Sequence, residues 1–260
     1  MILRPDGDGP GVVAIGQASH AWLSGQLAQA WGNDRFAAPQ PREEAILGAV
    51  QHDIGMALWD LRPERHPETG LPRQFFELDR HTHLALWTAA PARVLSQSRY
   101  AALLVSLHGT GLYERFPPRT DDPEIARAVA EYRDGQAAFQ HALATELGAS
   151  ADELARNQAL LAVWDDLSLA ICRGERGPHA VPGAPATASG TGGVHVPLTL
   201  TERPERDTYT LDPWPFAVPS LEVRAEGRRL AGPSPDEAAL HAALDRAPVL
   251  TVTARLRATG

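Results

Sequence analysis

The chain has 260 residues, of which 43% are hydrophobic and 22% charged, so it has enough apolar material for an ordinary globular core. Its formal net charge of −8 and the lack of a basic block predict no nucleic-acid partner. All 24 cationic residues are arginine, which excludes a Walker-type phosphate lysine, a Schiff-base lysine and a lysine general base.

The cysteine content and the first residues indicate the compartment. Cys172 is the single cysteine, so an internal disulfide and a thiolate-rich zinc site are excluded, and its apolar neighbours indicate a buried structural thiol. The N-terminal residues lack the apolar core of a signal peptide, and no stretch approaches about 18 apolar residues. We therefore expect a cytoplasmic protein without a membrane partner.

The first predicted helix spans residues 19–31, with Ser19 as its N-cap. On a 3.6-residue period His20 shares a face with Leu23 and Leu27, so its side chain is expected to point inward. An inward histidine is either satisfied within the core or bound to a ligand. The helix alone leaves both interpretations open.

The second predicted helix begins after Pro41 and ends in the stretch His52-Asp53-Ile54-Gly55. Adjacent helical residues point about 100° apart, so His52 and Asp53 can flank one metal ion only if the helix ends pointing at it. Gly55 supplies such an ending. Imidazole and carboxylate together suit zinc, iron or manganese, so this stretch is the first candidate metal site.

A polar segment interrupted by prolines covers residues 59–79 and is predicted to be a loop. It carries three arginines, Arg62, Arg65 and Arg73. A loop of this length beside a candidate site is often functional. We expect it to be either a substrate lid or a plain surface excursion.

Two further histidines lie in predicted helices. In the helix at residues 80–90, His83 shares a row with Trp87 whereas His81 does not, so we select His83 as a ligand and keep His81 as the alternative. His108 closes an apolar run that is typical of a central helix. Because a buried histidine is unfavourable without a partner, we expect a metal ion, a carboxylate or a backbone carbonyl beside it.

The next helix that carries a candidate ligand is predicted between Ser150 and Cys172, and Ser150 and Glu153 have the spacing of a capping box. Asp165 lies on its apolar row, where a carboxylate is unfavourable unless it is paired or metal-bound. Asp166, one step round the helix, is the alternative ligand.

The composition changes after this helix. Residues 176–193 are rich in Gly, Pro, Ala, Ser and Thr and are predicted to be a flexible linker. Residues 194–260 alternate apolar and polar side chains in short runs, which predicts a small β-rich subdomain packed on the helical body. We find no catalytic constellation in it.

The ordered set His20, His52-Asp53, His83, His108 and Asp165 resembles the metal-binding signature of the HD superfamily. The stretch Asp165-Asp166-Leu167-Ser168 resembles the Asp-x-Leu motif that supplies the last ligand, which favours Asp165 over Asp166. More narrowly, the chain resembles an uncharacterised bacterial HD-like family. That resemblance rests on residues 17–28, 104–108 and 164–169.

The resemblance implies a mainly α fold, in which residues 1–175 form an HD-like helical bundle with a small C-terminal α+β or β-rich appendage. It also implies two divalent metal ions, iron, manganese or zinc. Asp53 would bridge the two ions as the catalytic carboxylate. The first would be held by His20, His52, Asp53 and Asp165, and the second by Asp53, His83 and His108.

Two metal ions suit phosphoester hydrolysis, which is the first function that we predict. The substrate would be a small molecule such as a nucleotide-like phosphoester, and its candidate clamps are Arg62, Arg65, Arg73 and Arg115. A di-iron oxygenase with the same ligands is the alternative, because imidazoles and carboxylates with open positions also suit iron. A non-catalytic helical module is the third interpretation. A homo-oligomer is possible in each case.

Overall fold

A computed structural model describes residues 1–7, 9–118, 121–186 and 194–259. Its helices are α1 (Gln17–Ala30), α2 (Arg42–Gln51), α3 (Arg80–Ala89), α4 (Arg99–Arg115), α5 (Pro123–Leu147), α6 (Ala151–Arg173) and α7 (Glu237–Arg246). Its strands are β1 (Ile2–Pro5), β2 (Val12–Ile15), β3 (Pro178–Pro185), β4 (His195–Glu202), β5 (Thr208–Asp212), β6 (Ser220–Leu230) and β7 (Val249–Ala258).

The strands form one curled sheet that joins both ends of the chain. Its order is β1-β2-β6-β7-β5-β4-β3, and among these strands the pair β5 and β7 is parallel whereas the other pairs are antiparallel. The junction between the two ends is the pairing of β2 with β6, in which Val12 lies opposite Leu230 and Ile15 opposite Gly227. The complete seven-stranded sheet therefore requires β1 and β2 to meet the C-terminal half of the chain.

The sheet has one buried face because its long strands alternate. In β6, Val223 and Ala225 are buried while the residues between them are exposed, and in β7 the same pattern buries Val252, Ala254 and Leu256. Side chains two residues apart on a strand share a face. This buried face provides the surface on which the helices pack.

The helices form layers behind the sheet. Helices α1 and α6 lie directly against it, and their Leu23, Leu27, Trp164 and Ile171 join the largest apolar cluster together with the buried strand residues. Helices α2 and α4 pack on α1 and α6, α5 packs further out against α4, and α3 packs against α5. Consequently α1, α2, α4 and α6 converge in the interior of the helical layer.

The predicted mainly α fold is wrong, and so is the description of the chain as all-α. About 49% of the described residues are helical and 22% are in strands, and the seven-stranded half-barrel sheet makes this an α+β fold. The short runs of β1 and β2 were not recognised as strands because each has four residues in a Gly/Pro-rich region. β1 pairs with β2, and β2 pairs with β6, which lies more than half a chain away.

The predicted linker is partly a strand. Residues 178–185 form β3, which pairs antiparallel with β4 across a register shift. Residues 187–193 of that segment lie outside the described residues. The predicted loop at residues 59–79 contains two 3-10 turns, Trp59–Leu61 and Phe75–Glu77, and an isolated bridge between Arg65 and Pro72.

Among the residues that the structure describes, no helix combines the length and the apolar character that a membrane crossing requires.

Candidate metal centre

Five metal-capable side chains meet where α1, α2, α4 and α6 converge. They are His20 of α1, His52 and Asp53 at the end of α2, His108 of α4 and Asp165 of α6. The two carboxylates are only 4% and 7% exposed, and the three imidazoles are likewise buried. Because buried carboxylates are strongly unfavourable without partners, this group, hereafter the His/Asp cluster, requires positive charge.

The donor atoms of the His/Asp cluster are close together. His20 Nε2 lies 2.7 Å from Asp53 Oδ2 and 3.2 Å from His52 Nε2. Asp165 Oδ1 lies 3.5 Å from His52 Nε2 and 3.7 Å from His20 Nε2, while Asp165 Oδ2 lies 3.7 Å from His108 Nε2. Donors bound at about 2.1 Å to one four- or six-coordinate ion are about 3.0 to 3.4 Å apart. The observed spacing fits a shared cation.

The hydrogen bond of His52 Nδ1, the nitrogen that points away from the cluster, determines the protonation of Nε2, which points into it. His52 Nδ1 lies 2.8 Å from the backbone oxygen of Ala49, which can only accept a hydrogen bond, so Nδ1 carries a proton. In the neutral imidazole Nε2 therefore presents a lone pair to the His/Asp cluster. A hydrogen bond from the outer nitrogen to a backbone carbonyl is common in metal-binding histidines.

His20 is oriented by a chain of hydroxyl groups. Its Nδ1 lies 2.7 Å from Ser168 Oγ, which donates to the backbone oxygen of Asp165 and lies 2.8 Å from Ser24 Oγ. When Ser168 donates to Asp165, its oxygen accepts a hydrogen bond from His20 Nδ1. In the neutral ring, His20 Nε2 then faces the His/Asp cluster with a lone pair. Ser168 is thus an outer partner of the candidate site.

In the metal-free cluster, the pKa values of two histidines shift in opposite directions. Burial lowers the pKa of His52, but Asp53 and Asp165 outweigh it and raise that pKa to about 9. Burial and the neighbouring His52 lower the pKa of His108 to about 4. Burial raises the pKa of Asp165, but the hydrogen bond from His52 and the charge of His108 hold it below its usual value. Without a metal, a proton on His52 supplies the required cation.

Gln17 completes the inner wall of the site. Its amide nitrogen donates to Asp53 Oδ2 at 3.0 Å, and the side chain is buried. Within the described part of the chain, its amide oxygen has no hydrogen-bond partner. Gln17 precedes His20 by three residues on α1, so the two share a helix face.

The His/Asp cluster opens into a cavity of about 560 Å³. Asp53, His108 and Asp165 of the cluster line it. Three arginines also line it, namely Arg80, Arg115 and Arg173, and the remaining wall is mainly apolar, with Met56, Phe75, Phe76, Leu78, Trp87, Leu112, Phe116 and Leu169. The cavity thus joins a cation-requiring centre to a wall that attracts anions.

A family model described as "Protein of unknown function (DUF3891)" matches residues 1–232. The chain belongs to the DUF3891 family. The matched residues include the whole His/Asp cluster and the cavity lining. Searches of the curated proteins and of the solved structures gave no match.

The resemblance to the HD superfamily is wrong. The DUF3891 match does not identify an HD protein, and the half-barrel sheet is not part of an HD helical fold. Histidines and aspartates on successive helices can be brought together by more than one framework, because their order along the chain does not specify the layers around them.

The remaining candidate ligands of the DUF3891 chain lie apart from the His/Asp cluster. His83 Nδ1 lies 2.6 Å from the Tyr113 hydroxyl, and His83 Nε2 accepts from Trp87 Nε1 at 3.2 Å. His81 is exposed. Asp166 pairs with His179 at 2.8 Å and faces the cavity beside Asp165.

The four arginines predicted to bind substrate do not all lie at the cavity. Arg115 lines the cavity. Arg62 pairs with Asp245 at 2.7 Å on the surface, Arg65 donates to the backbone oxygen of Ser234, and Arg73 pairs with Glu64 at 3.1 Å. The loop that carries these three arginines holds them by contacts outside the cavity.

Sequence reasoning missed several residues of the site. Gln17 and Ser168 lie within stretches quoted for the family resemblance, and their spacing of three residues from His20 and from Asp165 was the available signal. Arg80 and Arg173 gave no sequence signal for a shared site, because Arg80 is the first residue of α3 and Arg173 is the last residue of α6. Only the tertiary structure brings them to the same cavity.

Proposed function

We propose that the protein holds at least one divalent metal ion in the His/Asp cluster and hydrolyses small anionic esters, phosphoesters first. The observation that carries the proposal is the hydrogen bond from His52 Nδ1 to Ala49, which directs the Nε2 lone pair at two buried carboxylates and a second imidazole. Imidazole and carboxylate donors in this number suit zinc, manganese or iron.

The residues of the chain have distinct roles in this proposal. Bound metal polarises a phosphoryl oxygen and lowers the pKa of a coordinated water. His20, His52, Asp53, His108 and Asp165 hold the ion, and the Gln17 amide fixes the orientation of Asp53 through its 3.0 Å hydrogen bond. Ser168 fixes the ring of His20. A second ion that used His83 would require that side chain to leave Tyr113 and Trp87.

The charge of the cavity supports an anionic substrate. Three arginines line the cavity together with Asp53, Asp165 and Asp166. Arg173 pairs with Glu175 at 3.4 Å, so the argument for an anionic substrate rests on Arg80 and Arg115. Arg80 stacks near the Tyr113 ring and Arg115 near Phe116, and among the described residues neither lies in an ion pair. Arginine forks bind the paired oxygens of phosphate well, so these side chains can hold the substrate while hydrolysis occurs at the cluster.

The first experiment tests metal binding and hydrolysis together. Elemental analysis of the purified protein is expected to give one or two equivalents of zinc, manganese or iron, and p-nitrophenyl phosphate is expected to be hydrolysed. Treatment with a chelator should remove the metal and the activity, and the metal alone should restore both. Bound metal without hydrolysis of any phosphomonoester or phosphodiester would refute the hydrolase.

The second experiment tests the cavity arginines. Arg80→Ala and Arg115→Ala are expected to raise KM for p-nitrophenyl phosphate about tenfold each, because each removes a charge-assisted contact. Arg62→Ala is the matched control, since Arg62 lies on the surface in an ion pair with Asp245. An equal change in all three variants would contradict a substrate-binding role for the cavity.

A second candidate function is an iron-dependent oxygenase. Two overlapping groups of two histidines and one aspartate lie within the cluster, namely His20, His52 and Asp165, and His52, Asp53 and His108. This donor set is the one that non-haem iron oxygenases use. Tightly bound iron, substrate-dependent oxygen consumption and no phosphoester hydrolysis would favour this function over hydrolysis.

A further inference from the structure

A second group of side chains lines the cavity next to the His/Asp cluster, with the Trp87 ring 5.6 Å from the His108 ring. His83 and Trp87 lie one turn apart on α3, and Tyr113 lies on the facing turn of α4. His83 Nδ1 is 2.6 Å from the Tyr113 hydroxyl oxygen, and Trp87 Nε1 is 3.2 Å from His83 Nε2. All three side chains, and Arg80 beside them, line the cavity.

The direction of these hydrogen bonds follows from the donor types. An indole N–H can only donate, so His83 Nε2 must be the unprotonated acceptor. In the neutral ring Nδ1 then carries the proton and donates to the oxygen of Tyr113. Burial and the charge of Arg80 lower the pKa of His83 to about 4, which agrees with a neutral ring.

The proton of Tyr113 is therefore left for another acceptor. Its hydroxyl oxygen accepts a hydrogen bond from His83 Nδ1, and throughout the described segments no protein atom accepts a hydrogen bond from the Tyr113 hydroxyl. Burial raises the pKa of Tyr113, with Arg80 acting in the opposite direction, so the hydroxyl keeps its proton at neutral pH. A donor fixed in this way at a cavity wall suits an acceptor on a bound molecule.

We propose that Tyr113 donates a hydrogen bond to an anionic oxygen of the substrate, together with Arg80, and that the body of the substrate is apolar. Arg80 lies 5.8 Å from the centre of the Tyr113 ring, so charge and hydrogen-bond donor are adjacent. Phe75, Phe76 and Phe116 line the same cavity and provide the apolar surface. His83 and Trp87 are positioning residues. The substrate class rests on the proposed function and is an anionic ester of an apolar or aromatic alcohol.

Calorimetric titration of the purified, metal-containing protein with phenylphosphonate and with inorganic phosphate tests this inference. Phenylphosphonate is expected to bind at least tenfold more tightly, because its ring contacts the apolar wall. Tyr113→Phe should weaken both probes about tenfold, which is the effect of losing a hydrogen bond to a charged group. The protein treated with a chelator is titrated in parallel.

Tyr132→Phe is the matched control. The Tyr132 ring lies 5.2 Å from that of Tyr113, and its buried hydroxyl has no hydrogen-bond partner within the described residues. Removing that hydroxyl should leave the affinity for both probes unchanged. Equal affinities of the wild type and Tyr113→Phe, with thermal unfolding showing a folded variant, would overturn the inference and leave the metal proposal intact.

The direction of the hydrogen bonds at His83 can be tested separately, by measuring which ring nitrogen carries the proton. Nitrogen-15 NMR of the wild type is expected to show His83 protonated at Nδ1 and unprotonated at Nε2. Trp87→Phe removes the donor to Nε2 and should shift the ring toward the other tautomer, with weaker binding of phenylphosphonate. Protonation of His83 at Nε2 in the wild type would refute the inference, whereas absence of bound metal and of hydrolysis would refute only the proposed function.

Discussion

The cavity has two histidine-containing walls that differ in what their ring nitrogens contact. In the His/Asp cluster, Nδ1 of His52 donates a hydrogen bond to a backbone carbonyl, and Nε2 of His52 faces two carboxylates. In the neighbouring group, the indole N–H of Trp87 donates to Nε2 of His83, and Nδ1 of His83 contacts the Tyr113 hydroxyl. Burial favours the neutral ring in both groups, but carboxylates outweigh burial at His52 and do not outweigh it at His83. On the proposed function, neighbouring carboxylates and a vacant ring lone pair are what would distinguish a metal-binding histidine from a positioning one.

The largest expected effect comes from replacing Asp165, the first of two adjacent aspartates. Asp165→Asn should abolish metal binding, a loss greater than the roughly 10- to 100-fold that removal of an outer partner causes. Asp166→Asn is the control and should keep its metal, because Asp166 pairs with His179 outside the cluster. Elemental analysis after dialysis measures both. Metal retained by Asp165→Asn but lost from Asp166→Asn would reverse the assignment.

The metal-free protein should lose stability at alkaline pH. The pKa of His52 is raised from 6.5 to about 9 in the folded state, so its stabilisation is fully present below pH 6.5 and is lost as the pH rises through 9. The shift corresponds to about 3 kcal/mol in the free energy of unfolding. Urea unfolding of the chelator-treated protein at pH 6.5 and pH 9 measures it.

Two controls separate this effect from general alkaline unfolding. His52→Asn should show no decrease of this size between pH 6.5 and 9, since its side chain does not titrate. Bound metal should reverse the slope, because the ligands must lose protons before they bind an ion. A pH profile that is the same with and without metal would argue against His52 as a ligand.

A smaller effect is expected at the outer partner of His20. Ser168→Ala removes the acceptor for His20 Nδ1 and should weaken metal binding by about tenfold. Ser106→Ala is the matched control, because Ser106 is also a buried helical serine but contacts Gln136 instead. Competition with a chelating dye measures both affinities, and equal affinities would remove Ser168 from the site.

The smallest expected effect is at His83. His83→Asn should leave the number of bound metal ions unchanged, since Trp87 and Tyr113 occupy both ring nitrogens. Elemental analysis of the variant beside the wild type is the measurement. A decrease of one equivalent would show that His83 holds a second ion, as the resemblance to two-metal proteins implied.

The sequence predicted much of the local structure correctly. The stretches around His20, His52, His108 and Asp165 are helical, as their periodicity indicates. Local spacing suffices for this, because residues three or four apart on a helix share a face whatever surrounds them. The choice of inward polar residues also followed from their apolar neighbours.

The fold class and the second wall of the cavity could not be predicted in this way. The strands β1 and β2 are too short to be recognised alone, and their register is set by β6 at the other end of the chain. Likewise His83 shares an apolar row with Trp87, which suggested a ligand, but the same neighbour is the donor that occupies its nitrogen. Spacing places two side chains together without specifying which atoms meet.

The sequence by itself determined which side chains face the interior of each helix, because helical periodicity is a local property. The tertiary structure alone decided that the two chain ends share one sheet and that Arg80, Arg115 and Arg173 share one cavity. It also separated His83 from the His/Asp cluster. The physical reason is that strand pairing, cavity shape and hydrogen-bond direction depend on atoms that are distant in sequence.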